Sequence, residues 1–232
     1  RSAGLGKPTK GKDPDKYEHF YAYVDVLIVG GGISGLYSAK VAAKSGARVL
    51  LIEQTPHLGG QASIDNPLID QGSTTKWITK LTKELEGMNN VTIKTRTVGV
   101  GVYDHGYSLA YERLTDHQFN LSGSRHRLWK IRAKQIITAT GAIERPLSFA
   151  NNDVPGVMLA SAVRNYLTNY GVSIGDRTVV VTNNDDAYRT AISLKNAGLS
   201  VPLIIDARPN GAGELAKTAS DLGIRIENGK AI

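Results

Sequence analysis

Residues 24–35 read Val24-Asp25-Val26-Leu27-Ile28-Val29-Gly30-Gly31-Gly32-Ile33-Ser34-Gly35. A β-branched apolar run ends in glycines. A small-residue face then follows, built from Leu36, Ala39, Val41 and Ala43, and Ser45-Gly46 closes it as a helix C-terminus. Gly30, Gly32 and Gly35 have the spacing G-x-G-x-x-G, which carries weight here because a strand precedes it and a helix follows. A second strand, Arg48 to Glu53, ends in an acid about 20 residues past the first glycine. Each part has a physical task. Gly30 permits a tight turn, Gly32 lets backbone approach a pyrophosphate, and Gly35 lets helix touch strand. The helix N-terminus offers its partial positive charge to phosphate. Glu53 can accept hydrogen bonds from ribose hydroxyls. Ile33 and Ser34 lie inside the turn and Gln54 beside the acid, so they join the candidate cofactor-binding set. A 2′-phosphate would meet the Glu53 carboxylate. NAD or FAD is therefore expected over NADP, and these residues do not separate the first two, which share an ADP half.

Outward from this turn, residues 1–22 are rich in Gly, Lys, Asp and Pro and read as an irregular lead-in with no apolar run. They fit neither a signal peptide nor a membrane-spanning helix, and a soluble, cytoplasmic protein is expected. Residues 54–72 read as a long loop containing Gly59-Gly60. Trp77, Ile78, Leu81, Leu85 and Met88 predict a helix over 74–88. Short strands are expected at 91–95, 97–103, 107–114 and 127–131, with turns at Gly106 and Leu121-Ser122-Gly123-Ser124, forming an antiparallel meander. Gln135 to Thr138 returns to a buried strand and leads into Ala139-Thr140-Gly141.

From about residue 145 the plan restarts. A helix is expected from a Ser161 cap to Tyr170, followed by strand 178–182, helix 186–197, strand 201–206, helix 213–222 and strand 224–226. The domains are accordingly drawn as 1–22 lead-in, 23–146 dinucleotide-binding domain and 147–232 second, truncated α/β unit. In that unit the turn reads Thr182-Asn183-Asn184-Asp185-Asp186, without glycine and with two carboxylates where phosphate would lie. The unit is expected to keep the fold and lack the ligand, with Asp185 capping its helix.

Composition narrows the chemistry. Among 232 residues there is no cysteine, which excludes disulfides, thiolate metal sites and Cys-x-x-Cys redox pairs within them. The net charge of +7 raises nucleic acid, but the basic residues are scattered and lack an interleaved aromatic ladder, so neither nucleic acid nor membrane is expected as a partner. His19, His57, His105, His117 and His126 are dispersed without metal-ligand spacing. No catalytic acid–base pair or nucleophile stands out. Arg1 at the start and a strand beginning near Ile232 lead to the expectation of a segment cut from a longer chain.

Gly59-Gly60-Gln61 and Ile136-Ile137-Thr138-Ala139-Thr140-Gly141 resemble the segments that contact the cofactor in flavoproteins of the glutathione-reductase-like class. Gly60, Gln61, Thr140 and Gly141 therefore join the candidate set. The fold expected is α/β, a Rossmann-like FAD/NAD(P)-binding domain of that two-dinucleotide class with an antiparallel meander, plus a partial second α/β unit. A narrower resemblance rests on Gly4-Leu5-Gly6, Pro14-Asp15-Lys16-Tyr17-Glu18-His19-Phe20-Tyr21-Ala22, Gly141-Ala142-Ile143-Glu144-Arg145-Pro146, Asn151-Asn152-Asp153-Val154-Pro155-Gly156-Val157 and the turn from Thr182 to Ala191. Together these are similar to the α subunit of heterotetrameric sarcosine oxidase. That resemblance implies a longer chain with a downstream domain like the folate-binding protein of glycine cleavage, and a non-covalent NAD held by Gly30, Gly32, Gly35 and Glu53. It implies β, γ and δ subunits as partners, with FAD and the sarcosine site in β and a covalent FMN between α and β. It also implies oxidation of sarcosine by oxygen with transfer of the one-carbon unit to tetrahydrofolate, the present region being inactive by itself. Two alternatives stay open: an FAD-binding subunit of a related amine or opine oxidase, and a non-catalytic assembly domain.

Overall fold

In a computed structural model describing residues 6, 10–117, 123–211 and 213–232, strands and helices follow in the order β1 (Lys16–Val29), α1 (Ile33–Lys44), β2 (Val49–Ile52), α2 (Ala62–Asp65), β3 (Leu68–Ile69), β4 (Gly72–Ser73), α3 (Thr74–Glu86), β5 (Val91–Lys94), β6 (Thr97–Tyr103), β7 (Tyr107–Arg113) and β8 (Ser124–Thr138). They continue as α4 (Ala160–Tyr170), β9 (Arg177–Thr182), α5 (Asp186–Asn196), β10 (Ser200–Asp206), α6 (Glu214–Asp221) and β11 (Arg225–Asn228). Gly4, Leu5, Leu121 and Ser122 of the sequence reading lie outside the described residues. The chain divides into two compact units, 1–60 with 68–141 and 61–67 with 142–232.

The first unit holds a six-stranded sheet in the order β5-β2-β1-β8-β7-β6. Its first four strands run parallel and the last two antiparallel, so the meander continues the sheet as extra strands. The α1 crossover from β1 to β2 supplies the parallel pairing that a hairpin cannot. One face packs Ile28, Val49 and Leu51 against Leu36 and Ala39 of α1 and Leu81 and Leu85 of α3. The other packs Leu27, Leu50 and Ile52 with Ala110, Ile131 and Ala133. Each such Leu or Ile, fully buried, contributes roughly 1.5–3 kcal/mol. Both cores converge below the glycine turn and fix its position at the C-terminal ends of β1 and β2.

Three expectations are corrected. The lead-in ends at Lys16, because β1 runs 14 residues and pairs with β8 from Lys16 onward. The strands expected at 127–131 and 135–138 are one strand of 15 residues. The long loop at 54–72 contains α2 and the β3–β4 pair.

The second unit has a three-stranded parallel sheet, β11-β10-β9. Its core is Val180, Ile204 and Ile224 against Tyr188, Ala191 and Leu194 of α5 and Ala219 of α6. The Ser161 cap expected for α4 is absent: Leu159 holds the cap position, and the Ser161 N–H donates to Glu144 Oε2 at 2.7 Å.

Candidate functional site

The three fingerprint glycines divide by what surrounds them. Gly30 has φ +110°, and a Cβ there would lie 2.3 Å from the Ala139 carbonyl oxygen. That close approach is set by two backbone bonds, Gly30 N–H to Ile52 O and Ala139 N–H to Val29 O, each 2.8 Å. A Cβ on Gly35 would fall 1.9 Å from the Gly30 oxygen. Both positions are glycine because the fold leaves no space for anything larger. Gly32 differs: a Cβ there would meet nothing within 4 Å. Its backbone is extended at φ −70° and ψ −176°, so no conformational demand requires glycine either. What its missing side chain leaves clear is open volume at the N-terminus of α1. That helix start has no side-chain cap and no acid in its first turn. Its first N–H groups and dipole therefore favour an anion.

Glu53, 7% exposed, braces this turn from below. Its Oε2 accepts from Gly31 N–H at 2.7 Å, and its Oε1 accepts from Thr55 N–H at 2.8 Å and Thr55 Oγ1 at 2.9 Å. An ionised carboxylate has about four lone-pair sites, so capacity for a ribose hydroxyl remains. Gly59 N–H donates to Gly31 O at 2.8 Å, and a Cβ on Gly60 would lie 3.2 Å from Gly32 Cα. Thr140 follows Ala139 along the same wall, its nitrogen 3.2 Å from where a Gly30 Cβ would be.

The fold thus gathers Gly30, Gly32, Ile33, Ser34, Gly35, Glu53, Gly60 and Thr140 around one turn. Gln54 has an exposed side chain, and its carbonyl accepts from the Arg113 guanidinium at 2.9 Å. Gly141, beside Thr140, is exposed at φ +72°. Gln61 opens the second unit, where its amide donates to Asp65 Oδ1 at 3.1 Å. Sequence reasoning passed over Thr55 and gave Gly31 no role, and it named Gly59 only as part of the Gly59-Gly60-Gln61 segment. The only signal for Gly31 was a glycine at the variable position of the Gly30-Gly31-Gly32 run, where a Cβ would strike Leu58 Cδ2 at 2.5 Å.

An ADP-containing dinucleotide fits these residues: open backbone for a pyrophosphate, an uncapped helix start and an acid at the strand end. A 2′-phosphate beside Glu53 would meet the charge of its carboxylate.

The equivalent turn of the second unit is closed by its own side chains. Asp185 does not cap α5 as expected; its Oδ1 accepts from Arg208 at 2.7 Å. Asn184 Oδ1 takes the Asp186 N–H at 3.0 Å, and Thr182 Oγ1 takes the Asn184 N–H at 3.0 Å. Asp186 sits in the first turn of α5 and is held at 2.9 Å by Arg164, which is 1% exposed and also lies 2.8 Å from Asp65. Asp206 ends β10 as Glu53 follows β2. It is fully buried and accepts from Arg208 Nε at 3.0 Å and Tyr188 OH at 2.8 Å. The Arg208 guanidinium, outweighing burial, holds the Asp206 carboxyl down at about 2. Burial, then the Asp206 bond, pushes the Tyr188 phenol up to about 12. A cavity of 590 Å³ in this unit has apolar walls of Leu147, Val157, Met158 and Val179 together with the polar Arg145 and Asn183.

Among the described residues no cluster of His, Cys, Asp or Glu could hold a metal ion, and no helix is long and apolar enough to cross a membrane.

Comparison with known proteins agrees with this geometry. The family described as FAD dependent oxidoreductase matches residues 25–108, the span from the first strand through the turn and Glu53. The sarcosine oxidase subunit alpha of Corynebacterium sp. (strain U-96) is 41% identical over 99% of this chain, and that of Rhizobium meliloti (strain 1021) 39% over 100%. The chain spans 24% of the length of each. Among solved structures, L-proline dehydrogenase from P. horikoshii superposes with a TM-score of 0.63 and 26% identity, over 85% of this chain and 38% of that one.

Proposed function

We infer that this chain, which belongs to the sarcosine oxidase α-subunit family and spans 24% of the length of those subunits, holds NAD at its first glycine turn. The observation that supports a dinucleotide here is the open volume over Gly32 between two glycines that packing accounts for, and the choice of NAD follows the resemblance to that subunit family. Backbone N–H groups of residues 32–35 hold the pyrophosphate, Glu53 takes the adenosine ribose, and Gly60 and Thr140 wall the site. When bound, the nicotinamide ring supplies a hydride acceptor. Among the described residues around this turn no side chain is placed as an acid, base or nucleophile, and the turn's proposed task is to bind and orient. Glu53 excludes the 2′-phosphorylated cofactor by charge.

In the complete enzyme we place this region beside β, γ and δ subunits, with FAD in β and FMN between α and β. That assembly oxidises sarcosine with oxygen and passes the one-carbon unit to tetrahydrofolate. A second reading is favoured by the family match over 25–108: FAD at the same turn, through the same ADP half, as in an amine or opine oxidase subunit. Acid release from the freshly purified full-length subunit, followed by mass spectrometry, separates the two. Stoichiometric NAD is expected. FAD without NAD transfers the site to the second reading. Neither dinucleotide, with full activity retained in a Gly32→Val complex, makes this an assembly domain and overturns both.

A further inference from the structure

The first half of β1 carries a surface that the dinucleotide site does not use. From Val26 to Val29 the strand is paired on both sides, by β2 and β8. Asp25 and Val26 N–H both donate to Arg48 O, at 3.0 and 3.1 Å, and there the β2 pairing ends. From Lys16 to Val24 the strand has β8 on one side and no described strand on the other. Native proteins cover, charge or twist such an edge to prevent unwanted pairing. Here it carries Tyr17, Tyr21 and Tyr23, which are 57%, 61% and 66% exposed. They alternate with His19 on one face of the sheet.

The Tyr17 end of the edge carries both signs, with Tyr17 OH donating to Asp13 at 3.1 Å and Arg125 paired to Asp15, whereas the charges beside Tyr21 and Tyr23 are basic. In register, Tyr21 faces Lys130 and Tyr23 faces Arg132. Lys130 Nζ lies 5.2 Å from the Tyr21 ring and Arg132 4.9 Å from the Tyr107 ring, and Arg132 also donates to the His105 carbonyl. Among the described residues neither has a carboxylate partner. Asp25 is already shared by Arg48 at 3.1 Å and Lys134 at 2.9 Å, a pairing that holds its carboxyl well below the usual range. At the end of the free edge a hollow of 220 Å³ is lined by Tyr23, Arg48, Arg132 and Lys134.

We propose that the Lys16–Val24 edge with its tyrosine face is a docking surface for an extended, acidic segment of a partner protein subunit. The segment adds as a strand along β1 and lodges a carboxylate in the hollow at Arg132. Unpaired backbone, exposed tyrosines and unneutralised cations are complementary to such a strand and characteristic of interfaces. A nucleic acid is disfavoured, because it cannot satisfy a strand edge and the cations already cover the Tyr21 and Tyr107 rings.

The test uses the complex purified from cells producing all its subunits, with the photo-crosslinking residue p-benzoylphenylalanine in place of Tyr21. The expected result is an adduct to an acidic stretch of another subunit. Lys130→Glu with Arg132→Glu should lower its yield roughly tenfold while bound dinucleotide and melting temperature stay unchanged. Adducts confined to this chain, to a second copy or to nucleic acid, no adduct at all, or a yield indifferent to charge reversal would each overturn the proposal. The dinucleotide content of the same preparation tests the proposed function separately.

Discussion

The two strand–turn–helix units of this chain answer the same electrostatic problem in opposite ways. At the first, the helix start is uncapped, the acid below it holds the turn by Gly31 N–H, and the volume over Gly32 is clear. At the second, Asn184 takes the first helical N–H, Asp186 occupies the first turn, and Arg208 bridges Asp185 and Asp206. One turn leaves its positive end for an outside anion; the other neutralises it internally. The difference teaches that loss of glycine alone does not retire such a site. New side chains must also satisfy the groups a ligand would have satisfied, because unpaired buried polar groups are costly.

The sharpest way to break this contrast is at the glycines the fold requires. Gly35→Ala places a Cβ 1.9 Å from the Gly30 oxygen and should cost about 3 kcal/mol or more, read as a lowered urea midpoint of the full-length subunit. The Cβ of Gly32→Val meets open space, so stability should stay within about 0.5 kcal/mol while NAD affinity in calorimetry falls at least about tenfold. Equal losses of stability in both variants would erase the distinction between packing glycine and ligand glycine.

The second turn offers a pH test. Asp206 has its folded pKa depressed to about 2 from the ordinary 3.8, so its stabilisation is complete above about pH 4 and lost as pH falls through about 2. Asp206→Asn should remove about 2 kcal/mol of acid dependence from that window, measured by unfolding at stepped pH. The smallest effect is expected from Asn184→Ala, which frees the Asp186 N–H and costs about 1 kcal/mol without creating dinucleotide affinity. Dinucleotide binding gained at the second turn by that variant would mean that Asn184 alone had closed it.

Much of this was legible locally. The spacing of Gly30, Gly32 and Gly35 and the 33–44 helix follow from short-range rules, since strand, turn and helix lie within one stretch. The long β1 was not legible. Tyr17, His19, Tyr21 and Tyr23 alternate with Glu18, Phe20, Ala22 and Val24, which gives neither face a clean apolar signature. The closure of the second turn was not legible either. Arg164 and Arg208 reach Asp65, Asp185 and Asp206 through the fold, and Asp185 reads as a helix cap until Arg208 is seen beside it. Assignment of 61–67 to the second unit has the same origin, contacts made far along the chain.

The Glu53–Gly31 bond has a kinetic consequence. The turn is held by the protein's own carboxylate and by Gly59. Much of the ordering cost of the loop is therefore met during folding, and the dinucleotide proposed for this site would meet a turn the chain itself holds. Capture should proceed in a single concentration-dependent phase, with no slow isomerisation following it. On the proposed function, residence time should follow the phosphate and ribose contacts, and variants of Glu53 should shorten it by loosening the turn as well as by removing an acceptor.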